Sequence, residues 1–464
     1  MQSSASKKLA QQAVPRLILQ LSLPAILGML VSSLYNLSDT FFAARLGPSQ
    51  TAAVGVVMPI MTLIQAVGMT FGMGAGSQIS YLLGQQDGKK AERAGALGLV
   101  LAAGFGLFLT AGGLCFLTPL LRLLGATETI LPFARQYAWP LLAAAPLQTA
   151  GFVLNNTLRS EGNAVRAMAG VVLGSLLNVA LNPLFMFAFG WGMVGAAAAT
   201  VCGQTLSCLF LFWQYQRKNS TLGFHFDALA WDPALLWQMA KVGFPTFLRQ
   251  GSTMLATILL NRACMPFGDG AIAVVSIVSR ILWFLVSVLI GFGQGLQPAA
   301  GYSFGAGDAK RTLKAYRWAL GYALGFSIAA AALCFFFAPQ LLQWFFSPEG
   351  AQRDMGLLCM RSQLLLLPTQ AFVIVSNMLM QSTGRALFAS LLAVSRQGLF
   401  FVPLIFLLPG LWGLRGILLA PAAADALTFL FAVILTFLVV RRYRRMAGQK
   451  QKKVVNAHGF FYST

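Results

Sequence analysis

The stretch YNLSDTFF places an acid, Asp39, near the end of LILQLSLPAILGMLVSSLYNL, a run with no charge of its own. A carboxylate at bilayer depth costs about 2.5–3.5 kcal/mol on insertion scales, so a residue kept there is a functional candidate, either accepting a proton or holding a cation. The second half of the chain buries other charges, with Arg249, Arg280, Arg396 and Asp425 each well inside an apolar run. Three cations against one anion do not compensate one another. They read either as a structural Arg396–Asp425 pair with Arg249 reaching toward water, or as a cationic lining of a substrate cavity that favours anionic or zwitterionic substrates. The two histidines, His225 and His458, lie in a polar loop and the tail, so proton chemistry falls to carboxylates. Cys115, Cys202, Cys208, Cys264, Cys334 and Cys359 lie in or beside apolar runs without a C-x-x-C pair, which makes them packing residues rather than a zinc site or a disulfide framework. The glycine runs GMGAGS (72–77) and GFGQGLQ (291–297) follow no strand and sit in apolar segments, so they serve helix packing rather than a nucleotide. With no Walker A sequence, the chain is expected to use no ATP and to hold no cofactor or metal.

These residues need elements that cross a membrane. Of 464 residues, 57% are hydrophobic and only 10% charged, far from the composition of a soluble domain. The polar start, MQSSASKKLAQQAVPR, lacks the pattern of a removable signal peptide. Apolar windows predict twelve spans, at 17–40, 52–82, 94–118, 131–157, 164–188, 192–216, 238–262, 271–301, 315–338, 355–380, 386–409 and 414–440. Pro24, Pro59, Pro140, Pro146, Pro183, Pro245, Pro368 and Pro403 inside them read as kinks. Most of the 33 Lys and Arg fall at the termini and in the even-numbered loops, which puts both termini in the cytoplasm. The net charge of +21 gathers in QQDGKKAER, GDAKRTLKAYR, RRYRR and KQKK, between apolar helices. Such clusters suit an anionic membrane leaflet and membrane lipids as partners, and no nucleic acid.

The chain also repeats itself. A shift of 221 residues pairs Pro24 with Pro245, Gly72 with Gly293, Gly74 with Gly295, Tyr81 with Tyr302, Gly84 with Gly305 and Asp87 with Asp308. One residue more aligns Gln148, Asn155, Ser160 and Gly162 with Gln370, Asn377, Ser382 and Gly384. An even number of spans per copy makes the two copies enter the membrane the same way. The expected architecture is therefore an all-α integral membrane protein with twelve transmembrane helices in two six-helix lobes, related by a pseudo-twofold along the membrane normal. The lobes are 1–216 and 238–445, joined by a cytoplasmic linker at 217–237 and followed by a basic cytoplasmic tail at 446–464.

The residues YNLSDTFFAARLGPSQTAAVG, NPLFMFAFGWGMVGAAAAT and the loops LGQQDGKKA and FGAGDAKRT, together with the six-plus-six repeat, resemble the multidrug and toxic compound extrusion (MATE) family, and most closely its DinF-like branch. The resemblance spans residues 14–445. It implies secondary active transport, with substrate leaving the cytoplasm by alternating access in exchange for inward H⁺ or Na⁺. It also places the first-span aspartate in a polar cluster of the N-terminal lobe. Carried over, that residue is Asp39, and its partners are Tyr35, Asn155, Asn178, Asn182 and Thr200, with Asn36 on the same span. The branch usually reads Asn-x-x-x-Asp-Pro in the fifth span, whereas here Asn178-x-x-x-Asn182-Pro183 lacks the second carboxylate.

That departure simplifies the device to one carboxylate among amides. Asn178 and Asn182 are four apart, on one helical face, and suit convergence on one point; alternatively they only bond helices together. Shifted by 221, Asp39 falls on Leu260, so the acidic site has no copy in the second half. The expected function is a monomeric, proton-coupled exporter of amphiphilic small molecules in a bacterial inner membrane, with Na⁺ as the less favoured ion. A flippase for lipid-linked sugars or amphiphiles is the alternative. An enzyme is disfavoured for want of clustered nucleophiles, His pairs or metal ligands, and a channel by the buried ionisable groups.

Overall fold

The computed structural model describes residues 4–216, 231–345 and 351–461. The linker residues 217–230, His225 among them, lie outside the described residues, as do the side chains of Asn36 and of residues from 449 onward, including His458. Every regular element described is helical. In chain order they are α1 (Ser4–Gln11), α2 (Val14–Leu46), α3 (Pro48–Gly84), α4 (Gly88–Cys115), α5 (Leu117–Leu123), α6 (Leu131–Ala143), α7 (Ala145–Ser160), α8 (Ala164–Pro183) and α9 (Gly192–Gln216). The second half continues with α10 (Pro233–Cys264), α11 (Asp269–Gly305), α12 (Ala309–Phe336), α13 (Ala338–Phe345), α14 (Ala351–Leu365), α15 (Leu367–Ser382), α16 (Ala386–Val394), α17 (Phe401–Trp412) and α18 (Leu414–Phe461).

Among the described residues, nine helices are long and apolar enough to cross a membrane, or ten if α14 and α15, bent by 47°, make one span. The two further spans expected from the sequence, 131–157 and 238–262, are helical but more polar. The first carries Arg135, Gln148, Asn155 and Asn156, and the second Lys241, Arg249 and Arg262. Large apolar side chains such as Phe108, Leu123, Phe336 and Leu411 stand more than two-thirds exposed, a distribution that lipid rather than water tolerates.

The expected kinks divide into two kinds. Pro24, Pro59 and Pro245 sit within unbroken helices. Pro146 and Pro368, a repeat pair, start α7 and α15 just after real breaks at Ala144 and Leu366, where the missing proline N–H falls among donors that a helix start leaves free anyway. Pro183 is followed by a π-helical segment, Leu184–Ala188, and a second one, Ser395–Phe400, separates α16 from α17. The linker expected to reach 237 gives way to helix at Pro233, and α18 runs helically past the expected tail boundary at 445.

The chain divides into two compact units. One is built from Leu23–Ile79 and Gly88–Met254, the other from Lys7–Ser22, Ser80–Asp87 and Leu255 onward. The core of the first gathers Val57, Ile60, Ile64, Tyr137, Leu141, Met186 and Met193. In the second unit Val274, Val278, Met360 and Leu364 form one cluster, and Leu313, Met380, Leu435 and Tyr443 another. The repeat is physical as well as textual. Asn155 donates its amide to the Ala167 carbonyl at 2.8 Å, and its repeat partner Asn377 donates to the Ala389 carbonyl at 2.7 Å.

Candidate functional site

Asp39 lies on α2 and is 5% exposed. Two helices of the same unit supply its partners. From α8, Asn182 Nδ2 donates to Asp39 Oδ1 at 2.6 Å and also to Asn178 Oδ1 at 3.2 Å. From α9, the Thr200 hydroxyl reaches Asp39 Oδ2 at 3.2 Å and the Ala196 carbonyl at the same distance, while accepting from Asn178 Nδ2 at 3.0 Å. A hydroxyl has one proton, so Thr200 serves one of these two acceptors at a time.

The chain's local grammar builds this convergence. Asn178 and Asn182 share one face of α8, one turn apart, and both are buried. Gly174, a turn before Asn178, meets Gly203, three residues after Thr200, with no room for a side chain at either: a Cβ on one would collide with the carbonyl oxygen of the other. Two glycines back to back bring α8 and α9 close enough for the short Asn178 and Thr200 side chains to bond.

The amides can be oriented on chemical grounds. Asn182 must turn its NH₂ toward the carboxylate, because its carbonyl there would face like partial charge. Both N–H donors are then engaged, and Asn182 Oδ1 remains a buried acceptor with no hydrogen-bond partner. A lone buried acceptor beside a buried acid is an unfilled place for a donor, whether a proton carried by the acid or a bound cation.

Of the residues expected in this cluster, the structure brings Asp39, Asn178, Asn182 and Thr200 together. Tyr35 lies beside Gln204 and within electrostatic reach of Asp39. Asn155 is engaged elsewhere: its amide pins α7 to α8 through Ala167, and because the same bond recurs at Asn377 in the copy that lacks the acid, the bond belongs to the scaffold. Two neighbours escape a reading of the sequence. Tyr137, on α6, is fully buried, holds its hydroxyl 3.9 Å from Met61 Sδ and feels the charge of Asp39. Gln204 stands one turn beyond Thr200 on α9, and that i,i+4 spacing is the signal that could have found it. Tyr137 carried no such signal, since a tyrosine in an apolar run looks like core.

A further buried acid sits at the end of α7. Glu161 is fully buried and bonds Tyr215, whose hydroxyl also pairs with Thr157 Oγ1 at 2.6 Å. In the second unit Asp425, 2% exposed, pairs with Arg396, while Arg280 is exposed. Arg249, in the first unit, is half-buried. The four residues expected to line a substrate cavity thus comprise one close ion pair and two separate arginines.

The chain matches the MatE family model over residues 24–184 and 245–407, the two repeat copies. It is 25% identical over 425 residues to the multidrug export protein MepA of Staphylococcus aureus strain NCTC 8325 / PS 47, covering 91% of this chain and 93% of that protein. The MepA of Staphylococcus saprophyticus is likewise 25% identical, over 423 residues. Among solved structures, a MATE crystallised in complex with MaL6 superposes with a TM-score of 0.91 at 27% identity, covering 96% of this chain and all of the other. A MOP superfamily transporter from Pyrococcus furiosus, described as having a binding pocket of reverse polarity, superposes with a TM-score of 0.90 at 26% identity, covering 96% of this chain and 99% of that one.

Proposed function

The chain belongs to the MatE family of membrane transporters, and on that premise we propose that it is a secondary active multidrug exporter of the DinF-like branch. It moves amphiphilic small molecules out of the cytoplasm by alternating access, in exchange for inward H⁺, with Asp39 as the coupling carboxylate. As a transporter it is not an enzyme. The observation that carries the reading is the setting of Asp39: a single acid in a lipid-spanning helix, held by one amide and one hydroxyl, beside the unfilled acceptor Asn182 Oδ1.

The choice of ion follows from the count of ligands. A hard cation needs a shell of oxygens with full charge compensation, and the cluster offers a single carboxylate, with neutral amide and hydroxyl oxygens of which Asn178 Oδ1 and the Thr200 hydroxyl each already accept one hydrogen bond. A proton needs only the acid and one acceptor. Na⁺ is therefore the weaker candidate. In this reading the six-helix lobes are 1–216 and 238–445, joined by the linker 217–237 and followed by the basic tail 446–464. The protein works as a monomer in a bacterial inner membrane, with both termini cytoplasmic and the basic loops against anionic lipid.

One observation favours the flippase alternative: the partly open guanidinium of Arg396. Drug susceptibility of cells lacking their own exporters separates the two. Expression should raise the inhibitory concentrations of several unrelated amphiphilic cations. Unchanged susceptibility, together with accumulation of a lipid-linked precursor when the protein is depleted, would contradict the exporter reading.

A further inference from the structure

Besides Glu161, the coupling site leaves unused a buried acid of the second unit, Asp425 on α18. Arg396, in the π-helical segment Ser395–Phe400, donates Nε to Asp425 Oδ1 at 2.5 Å and Nη2 to Oδ2 at 3.4 Å. Gln370, on α15, donates Nε2 to the same Oδ2 at 2.7 Å. The side chain of Arg396 is 31% exposed and that of Asp425 only 1%, so the acid sits behind the guanidinium. Two of the five guanidinium donors face Asp425, and among the described residues the other three bond to nothing.

A second polar atom points the same way. With its NH₂ turned to the carboxylate, Gln370 keeps its carbonyl Oε1 buried and unpartnered. The Thr428 hydroxyl, one turn beyond Asp425, is also buried without a partner. Aromatic pairs sit on the same helical segments: Phe400 against Phe431 at 6.0 Å, and Phe372 against Phe429 at 5.4 Å.

The scaffold does not require this arrangement. In the first copy of the repeat, Gln204 stands in place of Asp425 and, in the register that pairs Asn155 with Asn377 and Ala167 with Ala389, Gly174 stands in place of Arg396, and that copy is helical at both positions. Burying an ion pair contributes little stability over apolar residues of similar size, so stability alone does not account for it. π-helical insertions, moreover, cluster at functional sites.

We propose that Arg396, backed by Asp425 and flanked by Gln370, is a receptor for the carboxylate of a zwitterionic aromatic amphiphile. The carboxylate oxygens accept from the open guanidinium edge. Because the pair itself is neutral, recognition comes from fork geometry rather than from net charge. The proposal rests on the exporter reading only for the choice of amphiphiles as ligands.

Rhodamine B and its ethyl ester test it, since they differ only in whether the carboxylate is free. Fluorescence anisotropy on the purified full-length protein gives both affinities without depending on transport. The double variant Arg396→Met/Asp425→Leu replaces the pair with apolar groups and avoids leaving a buried charge unpaired. It should weaken rhodamine B about tenfold, the loss expected for a charge-assisted hydrogen bond, and leave the ester within about twofold. Asp425→Asn unmasks the guanidinium and should shift rhodamine B the opposite way, to tighter binding. Equal changes for both dyes, no change for either, or a wild type that does not bind rhodamine B would overturn the proposal. Failure of cells expressing the wild type to export either dye would instead count against the exporter reading, with the binding result unaffected.

Discussion

Asp39 was legible because charge in an apolar run is conspicuous, and Asn178, Asn182 and Thr200 because their motif resembles a family pattern. Their convergence needed coordinates. So did the bond of the Asn155 amide to the Ala167 carbonyl, which no sequence spacing reveals. Tyr137 stayed hidden because a tyrosine in an apolar run looks like core whether or not it neighbours an acid. The most informative substitution at this scale is Asn182→Asp, which restores the carboxylate usual in the branch at a point 2.6 Å from Asp39. Two acids that close compensate a bound cation more fully than one acid with an amide. The variant should gain a Na⁺ response that the wild type lacks, measurable as efflux with and without Na⁺ in the absence of a pH gradient. A sodium response identical to wild type would show that position 182 does not share an ion with Asp39.

At the scale of elements, the hydropathy pattern located the helices but not their breaks. Proline alone did not decide between an internal kink and a new helix start. Pro146 and Pro368 begin helices, whereas Pro24 and Pro245 ride within them, because neighbouring packing rather than the proline itself sets whether the chain turns. The α8–α9 crossing is the element contact on which the site depends most directly. Gly203→Ala should push the two helices apart and lengthen the bonds from Asn178 to Thr200 and from Thr200 to Asp39. Overpacking of this kind costs about 1–3 kcal/mol, so the variant should unfold at lower temperature in detergent and also lose coupled efflux. A thermal midpoint and efflux both equal to wild type would mean that the crossing tolerates a methyl group and does not fix the site.

For the whole molecule, the repeat and the basic loops gave the six-plus-six layout, while the polarity of α10 and of α6 with α7 kept two expected spans below the apolarity of the other ten. The compact units cut across α2, α3 and α10, a division that hydropathy does not contain because it depends on which side chains meet. The asymmetry of the copies was legible: Asp39 opposes Leu260, and Asp425 opposes Gln204. One elementary charge crossing 100 mV supplies about 2.3 kcal/mol, enough for about fifty-fold accumulation per proton of a substrate without net charge, whereas one-for-one exchange with a monovalent cation moves no net charge and draws on the pH difference alone. A single coupling carboxylate is thus sufficient for drug export, and transport should run fully on a pH gradient in Na⁺-free vesicles; sodium-driven uptake without a pH gradient would argue against that. The most direct test follows proton movement itself. In everted vesicles with an acid interior, adding an exported dye should dissipate the pH gradient for the wild type. It should leave the gradient intact for Asp39→Asn, a nearly isosteric variant present at equal abundance. Dissipation by Asp39→Asn at the wild-type rate would contradict the assignment of Asp39 as the coupling group.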